Sequence, residues 1–427
     1  MLTWHGQPSG DVSVLHLSLN ARVVSATCLP PVLDEMRRTG ATEHGVQRMM
    51  TKAEFLAVAL ENVGRIQANL LKQEMLAAGG DAALSRGICS EEKSETAVLL
   101  VGSRRQFTAL ISRLAEEPFG LPEIGREIDR ALGAYGRRRF VVQLGPRELV
   151  LGPRPALVGV VNVTPDSFSD GGQFLDPAAA IARGEELAAQ GADILDVGGE
   201  STRPGADPVP AEEELARVLP VIRGLAASVK TPLSIDTRHA RVAREAVAAG
   251  ACIINDVTGL TGDPETARAA AETGAGLVLV HILGDPKTMQ QDPTYNNLMA
   301  DICRFLRRAI LAAREAGVPE DRLLIDPGIG FGKRLGHNLR ILARLDQLRT
   351  LGRPIMVGVS RKRFIGDVTG VQTPAERLFG TAAACAMAVA QGALALRVHD
   401  VAEMGQAAAV AAAIVGAGAV VEAGETG

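Results

Sequence analysis

From Ala156 to the C-terminus, a short apolar run that ends on a polar residue recurs eight times. The runs are rich in Val, Ile and Leu without alternation, which is typical of strands buried on both faces. The segments between them have the pattern of helices, most of which end at a glycine. Eight such units predict an α/β fold with a closed parallel TIM (β/α)8 barrel. The polar residues that end the runs are Asn162, Asp196, Asp236, Asn255, His281, Asp326, Ser360 and His399.

These polar residues predict where the chemistry lies. The carboxyl ends of the strands in such barrels form the rim that carries the active site. Lys362 follows the seventh run and Arg397 lies within the eighth. We therefore expect a ring of hydrogen-bonding and cationic groups around one mouth of the barrel.

The first 136 residues have elements of their own and do not join the barrel repeat. The pattern predicts a helix over Lys52–Gly64 with Thr51 as N-cap, a second helix over Gln67–Ala78 and a strand over Ala97–Val101. This mixture predicts a small α/β N-terminal domain at 1–136, which we expect to be non-catalytic.

The second predicted domain spans 137–427 and begins after a linker, GAYGRRR at 133–139. Its first elements are two short apolar runs, Phe140–Leu144 and Glu148–Leu151, separated by a turn that contains Gly145. This arrangement predicts a hairpin ahead of the first barrel strand. We expect the hairpin to close the floor of the barrel.

Composition narrows the class of protein. Hydrophobic residues make up 47% of the chain and aromatic residues only 3%, which predicts an aliphatic core. The net charge of −4 gives no basic face, so we expect no nucleic-acid partner. The five scattered cysteines predict reduced thiols and a cytoplasmic protein. The apolar stretch 407–421 is too short for a membrane span and predicts the last barrel helix.

Three loops at the predicted rim have unusual sequences. The loop at 162–172 is long and mixed, which favours a lid or a substrate loop over an ordinary surface loop. The loop at 198–205 begins with two glycines and offers Thr202 and Arg203 as anion donors. The segment 328–333 resembles a phosphate loop but fails that pattern, because Pro327 replaces a glycine and Arg334 replaces Ser or Thr.

Two groups of residues have the chemistry of a binding site. Asp236, Asn255 and Asp326 end three strands and suit a flat heterocycle with amino and amide groups, although acid–base work or metal binding are alternatives. Arg397 and His399 alternate along the eighth run and therefore project to the same side, which predicts an anion site. His281 has no such neighbour, and we interpret it as structural.

Seven motifs together closely resemble the dihydropteroate synthase family. They occur in the family's order and spacing and cover nearly all of residues 155–400; they are NVTPDSFSDGG, DVGGESTRPGADPV, SIDT, IND, DPGIGFGK, SRK and RVHDV. The N-terminal region is similar to an extension found in long-form members. The resemblance implies condensation of 6-hydroxymethyl-7,8-dihydropterin diphosphate with p-aminobenzoate, release of pyrophosphate, and a homodimer formed through barrel helices.

The resemblance also implies roles for individual residues. It implies that the pterin is held by Asp236, Asn255, Asp326 and Lys362. It implies that the diphosphate is held by Asn162, Arg397 and His399, with Mg2+ on Asn162. It implies an aminobenzoate site formed by Thr202, Pro204, Phe168 and Phe331. The catalytic residues that it implies are Asp170, Thr202, Arg203 and Lys362.

Two residues depart from the usual family pattern: Arg363 stands where many members have Ser, and Ile282 where many have Met.

Two other functions share a pterin-binding barrel. A methyltetrahydrofolate-binding methyltransferase would not need the SRK and RVHDV residues or the TRPG loop. A catalytically silent pterin-binding paralogue would carry altered loops. Both alternatives are disfavoured because these motifs are intact.

Overall fold

The computed structural model of the chain describes residues 18–26, 35–89, 94–145, 147–152, 154–164, 176–201, 207–285 and 287–417. Within that part of the chain, no helix is long and apolar enough to cross a membrane. The chain divides into two compact units. The first consists of 1–137 together with 347–352 and 414–427, and the second of 138–346 and 353–413.

The first unit contains a four-stranded antiparallel sheet in the order β1-β2-β4-β3, with helices between the strands. The strands are β1 (Arg22–Ala26), β2 (Phe55–Gly64), β3 (Asp81–Leu84) and β4 (Glu95–Ser103). The helices are α1 (Glu43–Ala53), α2 (Arg65–Ala77), α3 (Arg86–Cys89), α4 (Arg104–Leu114) and α5 (Leu121–Gly136). The small α/β N-terminal region is therefore confirmed.

The predicted helix at Lys52–Gly64 is wrong. The segment from Phe55 is β2, because Leu56, Val58 and Leu60 are buried at every second position, the period of a strand. The preceding helix α1 instead begins after Thr42, whose side chain accepts a hydrogen bond from the amide of Gly45 at 3.1 Å. The predicted linker is also too long, because residues 133–136 belong to α5.

The short segment 347–352 joins the first unit through polar contacts. The Thr350 hydroxyl accepts a hydrogen bond from the Val23 amide at 3.1 Å. The Arg349 guanidinium donates to the Tyr135 carbonyl and lies 4.3 Å from the centre of the Tyr135 ring. Tyr135 is itself buried. The segment therefore adds hydrogen bonds to the largely aliphatic core of this unit.

The second unit is the predicted barrel. Its eight parallel strands follow one another in sheet order, β14 pairs with β7, and a parallel bridge between Ile325 and Ile355 links β12 to β13. The strands are β7 (Ala156–Asn162), β8 (Ile194–Gly198), β9 (Leu233–Asp236), β10 (Ile253–Asp256), β11 (Gly276–Val280), β12 (Leu323–Asp326), β13 (Met356–Gly358) and β14 (Ala395–Val398). The (β/α)8 prediction is confirmed.

The helices of this unit alternate with its strands. They are α6 (Pro177–Ala189), α7 (Ala211–Ser228), α8 (Ala240–Ala248), α9 (Glu265–Thr273), α10 (Leu298–Glu315), α11 (Leu335–Ala343), α12 (Arg363–Thr369), α13 (Leu378–Ala390) and α14 (Val401–Ala417). Among the described residues, 3-10 turns lie at Glu320–Arg322 and Pro374–Glu376, and another at Leu345–Leu351 runs into the segment 347–352 of the first unit. Helix α11 ends at Ala343, and the chain continues in the 3-10 turn at Leu345–Leu351.

The predicted hairpin is present as β5 (Phe140–Leu144) paired with β6 (Arg147–Leu151). Val142, Leu144 and Leu151 are buried in one apolar cluster with residues that include Val158 and Ile194. The hairpin thus closes the amino-terminal end of the barrel, and polar groups are left to the opposite rim.

Candidate active site

Strand register brings the predicted polar residues to one level. Asn162 pairs with Gly198, Gly198 with Asp236, and Asp236 with Asn255, on four neighbouring strands. Asp326 pairs with Val280 two strands further along. Because the strands are parallel, all these residues lie at their carboxyl ends, where the sequence placed the site.

Arg397 lies at the centre of the rim and joins carboxylates of two strands. Its Nε donates to Asp196 Oδ2 and its Nη2 to Asp236 Oδ2, both at 2.6 Å. The Asn255 amide also donates to Asp196 Oδ2, at 3.1 Å. The sequence pattern predicts Asp196 only as the end of a strand, and its contacts with Arg397 and Asn255 were not predicted. Arg397, expected at the diphosphate, also contacts the predicted pterin residue Asp236.

Three buried oxygens in this centre have no hydrogen-bond donor from the described part of the chain. They are Oδ1 of Asp196, Asp236 and Asn255. Buried acceptors of this kind normally have partners, and leaving one unpaired costs about 1–3 kcal/mol. Burial raises the pKa of Asp236 to about 7, although the charge of Arg397 opposes the shift. The centre therefore suits a ligand that brings several N–H donors.

Asp326 and Lys362 form the second part of the site. Asp326 Oδ1 accepts a hydrogen bond from the Gly328 amide at 2.6 Å. Lys362 donates to the Ile329 carbonyl, and its Nζ lies 4.5 Å from the centre of the Phe331 ring. Burial lowers the pKa of Lys362 to about 8, and Asp326 opposes that shift. Burial raises the pKa of Asp326, and Lys362 opposes it.

The loop that follows Asp326 is fixed by glycine geometry and by a buried lysine. Gly328 has a φ of +65°, and a Cβ there would lie 1.9 Å from the His281 carbonyl oxygen. Lys333 is buried, and its Nζ lies 2.8 Å from both His281 Nδ1 and the Phe331 carbonyl oxygen. Burial holds the pKa values of Lys333 and His281 well below their usual ranges. The sequence missed Lys333, which holds the backbone that carries Phe331.

The predicted anion residues lie near the ends of β7 and β14. His399 Nδ1 lies 3.0 Å from the Ser360 hydroxyl, which also accepts the His399 backbone amide at 3.2 Å. Burial, followed by the charges of Arg361 and Arg397, lowers the pKa of His399 to about 4. The side chain of Asn162, at the rim, makes no hydrogen bond with the described residues. With respect to the described residues, its amide oxygen is available to a ligand.

Several predicted residues lie outside the described part of the chain. Phe168 and Asp170 belong to the first loop, and Thr202, Arg203 and Pro204 to the second. Arg363, which departs from the usual family pattern, lies within the described residues. Its side chain is 90% exposed, and its Nε lies 3.5 Å from Asp367 Oδ1. The described part of the site therefore comprises Asn162, Asp236, Asn255, Asp326, Phe331, Lys362, Arg397 and His399.

Comparison with known proteins gives consistent matches. The family model described as "Pterin binding enzyme" matches residues 158–399. A dihydropteroate synthase from Synechocystis is 44% identical over 263 residues, which cover 62% of this chain and 91% of that protein. A structure of Xanthomonas albilineans dihydropteroate synthase with 4-aminobenzoic acid is 48% identical, with a TM-score of 0.61, and the match covers 65% of this chain and 98% of that one.

One further relative extends the match into the N-terminal region. A probable bifunctional folylpolyglutamate synthase/dihydropteroate synthase from Halobacterium salinarum is 40% identical over 383 residues. The match covers 89% of this chain but only 45% of that relative. The chain thus spans less than half the length of this bifunctional protein and nearly the full length of the Synechocystis one.

Proposed function

The chain belongs to the dihydropteroate synthases within the pterin-binding enzyme family, and we propose that it condenses 6-hydroxymethyl-7,8-dihydropterin diphosphate with p-aminobenzoate. The products are 7,8-dihydropteroate and pyrophosphate. The observation that carries this proposal is the group of unpaired buried oxygens on Asp196, Asp236 and Asn255, beside Arg397 at the barrel rim. The chain resembles, along the whole barrel, relatives that bear the name of this activity.

The pterin ring supplies the donors that the buried oxygens lack. Its amino group and ring N–H groups form a guanidine-like edge, which suits carboxylate and amide acceptors. Asp236 and Asn255 lie at one level on neighbouring strands, and Asp326 lies two strands beyond. Lys362 beside Asp326 offers a donor to a ring acceptor. We assign pterin recognition to these four residues and add Asp196, which fixes Arg397 and Asn255.

The diphosphate is assigned to Asn162, Arg397 and His399. Arg397 already spans the two carboxylates, so it links the pterin pocket to the leaving-group side. His399 is neutral near pH 7 because its pKa is about 4, and it acts there as a hydrogen-bonding group and not as a cation. The available Asn162 amide oxygen is a donor atom that suits Mg2+, which binds few protein ligands together with phosphate oxygens and water. When bound, Mg2+ would neutralise charge on the departing pyrophosphate.

The reaction needs no nucleophile from the enzyme. The amine of p-aminobenzoate attacks the methylene carbon, the carbon–oxygen bond to the diphosphate breaks, and the amine proton passes to solvent or to released pyrophosphate. The contribution of this chain is to orient both substrates and to stabilise the leaving group electrostatically. Phe331 would contact the aminobenzoate, together with Phe168, Thr202 and Pro204. Roles for Asp170 and Arg203 on the loops stay predictions.

A homodimer is part of the proposal. Phe379 and Met387 on α13 are 86% and 54% exposed, and Val368 on α12 is 60% exposed. Large apolar side chains that are exposed on neighbouring helices favour a protein interface. A second copy of the chain is the partner that the family resemblance implies. The cytoplasmic location inferred from the scattered cysteines stays a prediction.

The test is an assay of pyrophosphate release by the purified full chain with each substrate alone and with both. We expect release that requires both substrates. A methyltetrahydrofolate-binding methyltransferase would bind a reduced folate and release no pyrophosphate. A catalytically silent paralogue would bind the pterin without turnover. Either result would overturn the proposed activity.

A further inference from the structure

A second cluster of chemically active side chains lies beside the rim and takes no part in the proposed reaction. Glu200 follows β8, Glu214 lies in the first turn of α7, and His239 precedes α8. One side-chain donor atom from each lies within 4.8 Å of the other two. His239 Nε2 is 4.0 Å from Glu214 Oε2. Two carboxylates from the β8–α7 unit and one imidazole from the next βα unit therefore converge.

Glu214 is the residue that needs an explanation. Its side chain is 0% exposed, and neither carboxylate oxygen has a hydrogen-bond partner of ordinary geometry among the described residues. Burial raises the pKa of Glu214 to about 8, and the Thr237 hydroxyl offsets only part of that effect. An acidic side chain that is fully buried is expected to be paired or to bind a metal.

The surroundings hold Glu214 in this position. Gly199 packs against its helix so closely that a Cβ on Gly199 would lie 3.1 Å from Glu214 Cγ and 2.7 Å from Val218 Cγ1. The cluster is thus built into the contact between β8 and α7. The Glu214 side chain is 0% exposed, so compensation for its charge has to come from within the cluster.

Glu200 and His239 retain capacity for a further ligand. Arg238 donates to Glu200 Oε2 at 3.1 Å and to Oε1 at 2.9 Å. The Val209 amide also donates to Oε1, at 3.4 Å, so Oε1 has two donors and Oε2 keeps one lone pair available. His239 Nε2 lies 3.3 Å from the Val209 carbonyl oxygen, and the His239 side chain is 29% exposed. An imidazole ring can bind a metal through either nitrogen, and its partial exposure gives a cation a path of entry.

We propose that Glu200, Glu214 and His239 form a binding site for a divalent transition-metal cation of the zinc type. Imidazole and carboxylate ligands together favour such ions over Mg2+, which prefers oxygen ligands alone. Binding requires the three donor atoms to approach one another by about 1 Å, since Zn2+ holds nitrogen and oxygen ligands at roughly 2.0–2.2 Å. Water would complete the coordination.

The position of the site indicates what the cation does. Glu200 immediately precedes the segment 201–210, and Glu214 follows it at the start of α7. A cation that binds both residues would tie the chain just after β8 to the first turn of α7. The segment contains Thr202, Arg203 and Pro204, which the proposed function places at the aminobenzoate. The metal site itself does not depend on that assignment.

The experiment is a calorimetric titration of the untagged, chelator-treated full chain with Zn2+, in the absence of substrates. The variants are Glu214→Gln, His239→Gln and a control, Glu212→Gln, which alters an exposed carboxylate of the same helix turn. We expect the wild type and the control to bind one Zn2+ with the same affinity. The two ligand variants should lose at least about tenfold in affinity. Co2+ should give visible absorption bands that both ligand variants alter.

Two results would overturn the proposal. The first is a wild-type chain without measurable Zn2+ binding. The second is Zn2+ binding of equal affinity in the wild type and both ligand variants, which would place the ion elsewhere. Because His239 is partly exposed, His239→Gln keeps the test valid if Glu214→Gln does not fold. Synthase activity is not a readout here, so failure of the proposed reaction would leave this result interpretable.

Discussion

Replacing Asp326 with asparagine removes one acceptor from the proposed pterin pocket with little change in shape. Asp326 is 5% exposed, and its Oδ1 accepts the Gly328 amide at 2.6 Å. The asparagine carbonyl can keep that bond. Its NH2 group then takes the place of Oδ2 and meets an N–H group of the pterin, so two donors face each other.

The expected cost follows from the charge and burial of this residue. A hydrogen bond to a charged group contributes about 1.5–3 kcal/mol, and here it is lost without replacement. That range corresponds to a rise in the Kd for the pterin of roughly 12-fold to 150-fold. Lys362 also loses the carboxylate that supports its charge, so its pKa should fall further below about 8.

The assay is calorimetry with a pterin that lacks the diphosphate, so that only the ring contacts are measured. Asp321→Asn is the matched control, because Asp321 is an exposed aspartate just before the start of the same strand, β12. We expect the control to bind like the wild type. Equal affinities for Asp326→Asn and the wild type would refute the assignment of Asp326 to the pterin.

The remaining predictions concern pH, assembly and the N-terminal unit. The pKa of Lys362 is about 8, so kcat/KM should fall as the pH rises above that value. Lys362→Arg should abolish this fall at alkaline pH, since arginine keeps its charge. An unchanged pH dependence in the variant would assign the fall to another group. Phe379→Glu places a charge on the exposed face of α13 and should give a monomer in analytical ultracentrifugation, whereas an unaltered dimer would locate the interface elsewhere. A chain that begins at Arg138 should keep synthase activity within about an order of magnitude, because every residue assigned to substrate lies beyond it; a folded, inactive barrel would contradict this. That truncation should also lower thermal stability, because Thr350 and Arg349 lose partners worth about 1 kcal/mol each.

The barrel could be predicted because parallel strands buried on both faces have a distinct sequence. Each strand is a continuous apolar run, and its carboxyl end is marked by a polar residue such as Asp236 or Asp326. The N-terminal unit lacks this signal. In β2, the bulge between Leu60 and Val63, with Asn62 at a φ of +51°, interrupts the alternation that identifies a strand.

The individual site residues were less predictable than the rim on which they lie. Asp196 and Arg397 are 201 positions apart, and their contact depends on closure of the barrel. The sequence therefore marked Asp196 as a strand end without showing what it binds. Lys333 lies in a segment that fails the phosphate-loop pattern. Its role in holding Phe331 depends on the buried contact with His281, which no local pattern reveals.

The most direct test of the account is product stoichiometry with the purified full chain, labelled p-aminobenzoate and dihydropterin diphosphate. We expect labelled 7,8-dihydropteroate, identified by mass spectrometry, and one pyrophosphate for each product molecule. Asp326→Asn should lower kcat/KM for the pterin substrate, whereas Asp321→Asn should not. A folded wild-type chain that binds the pterin but yields no labelled dihydropteroate would contradict the account.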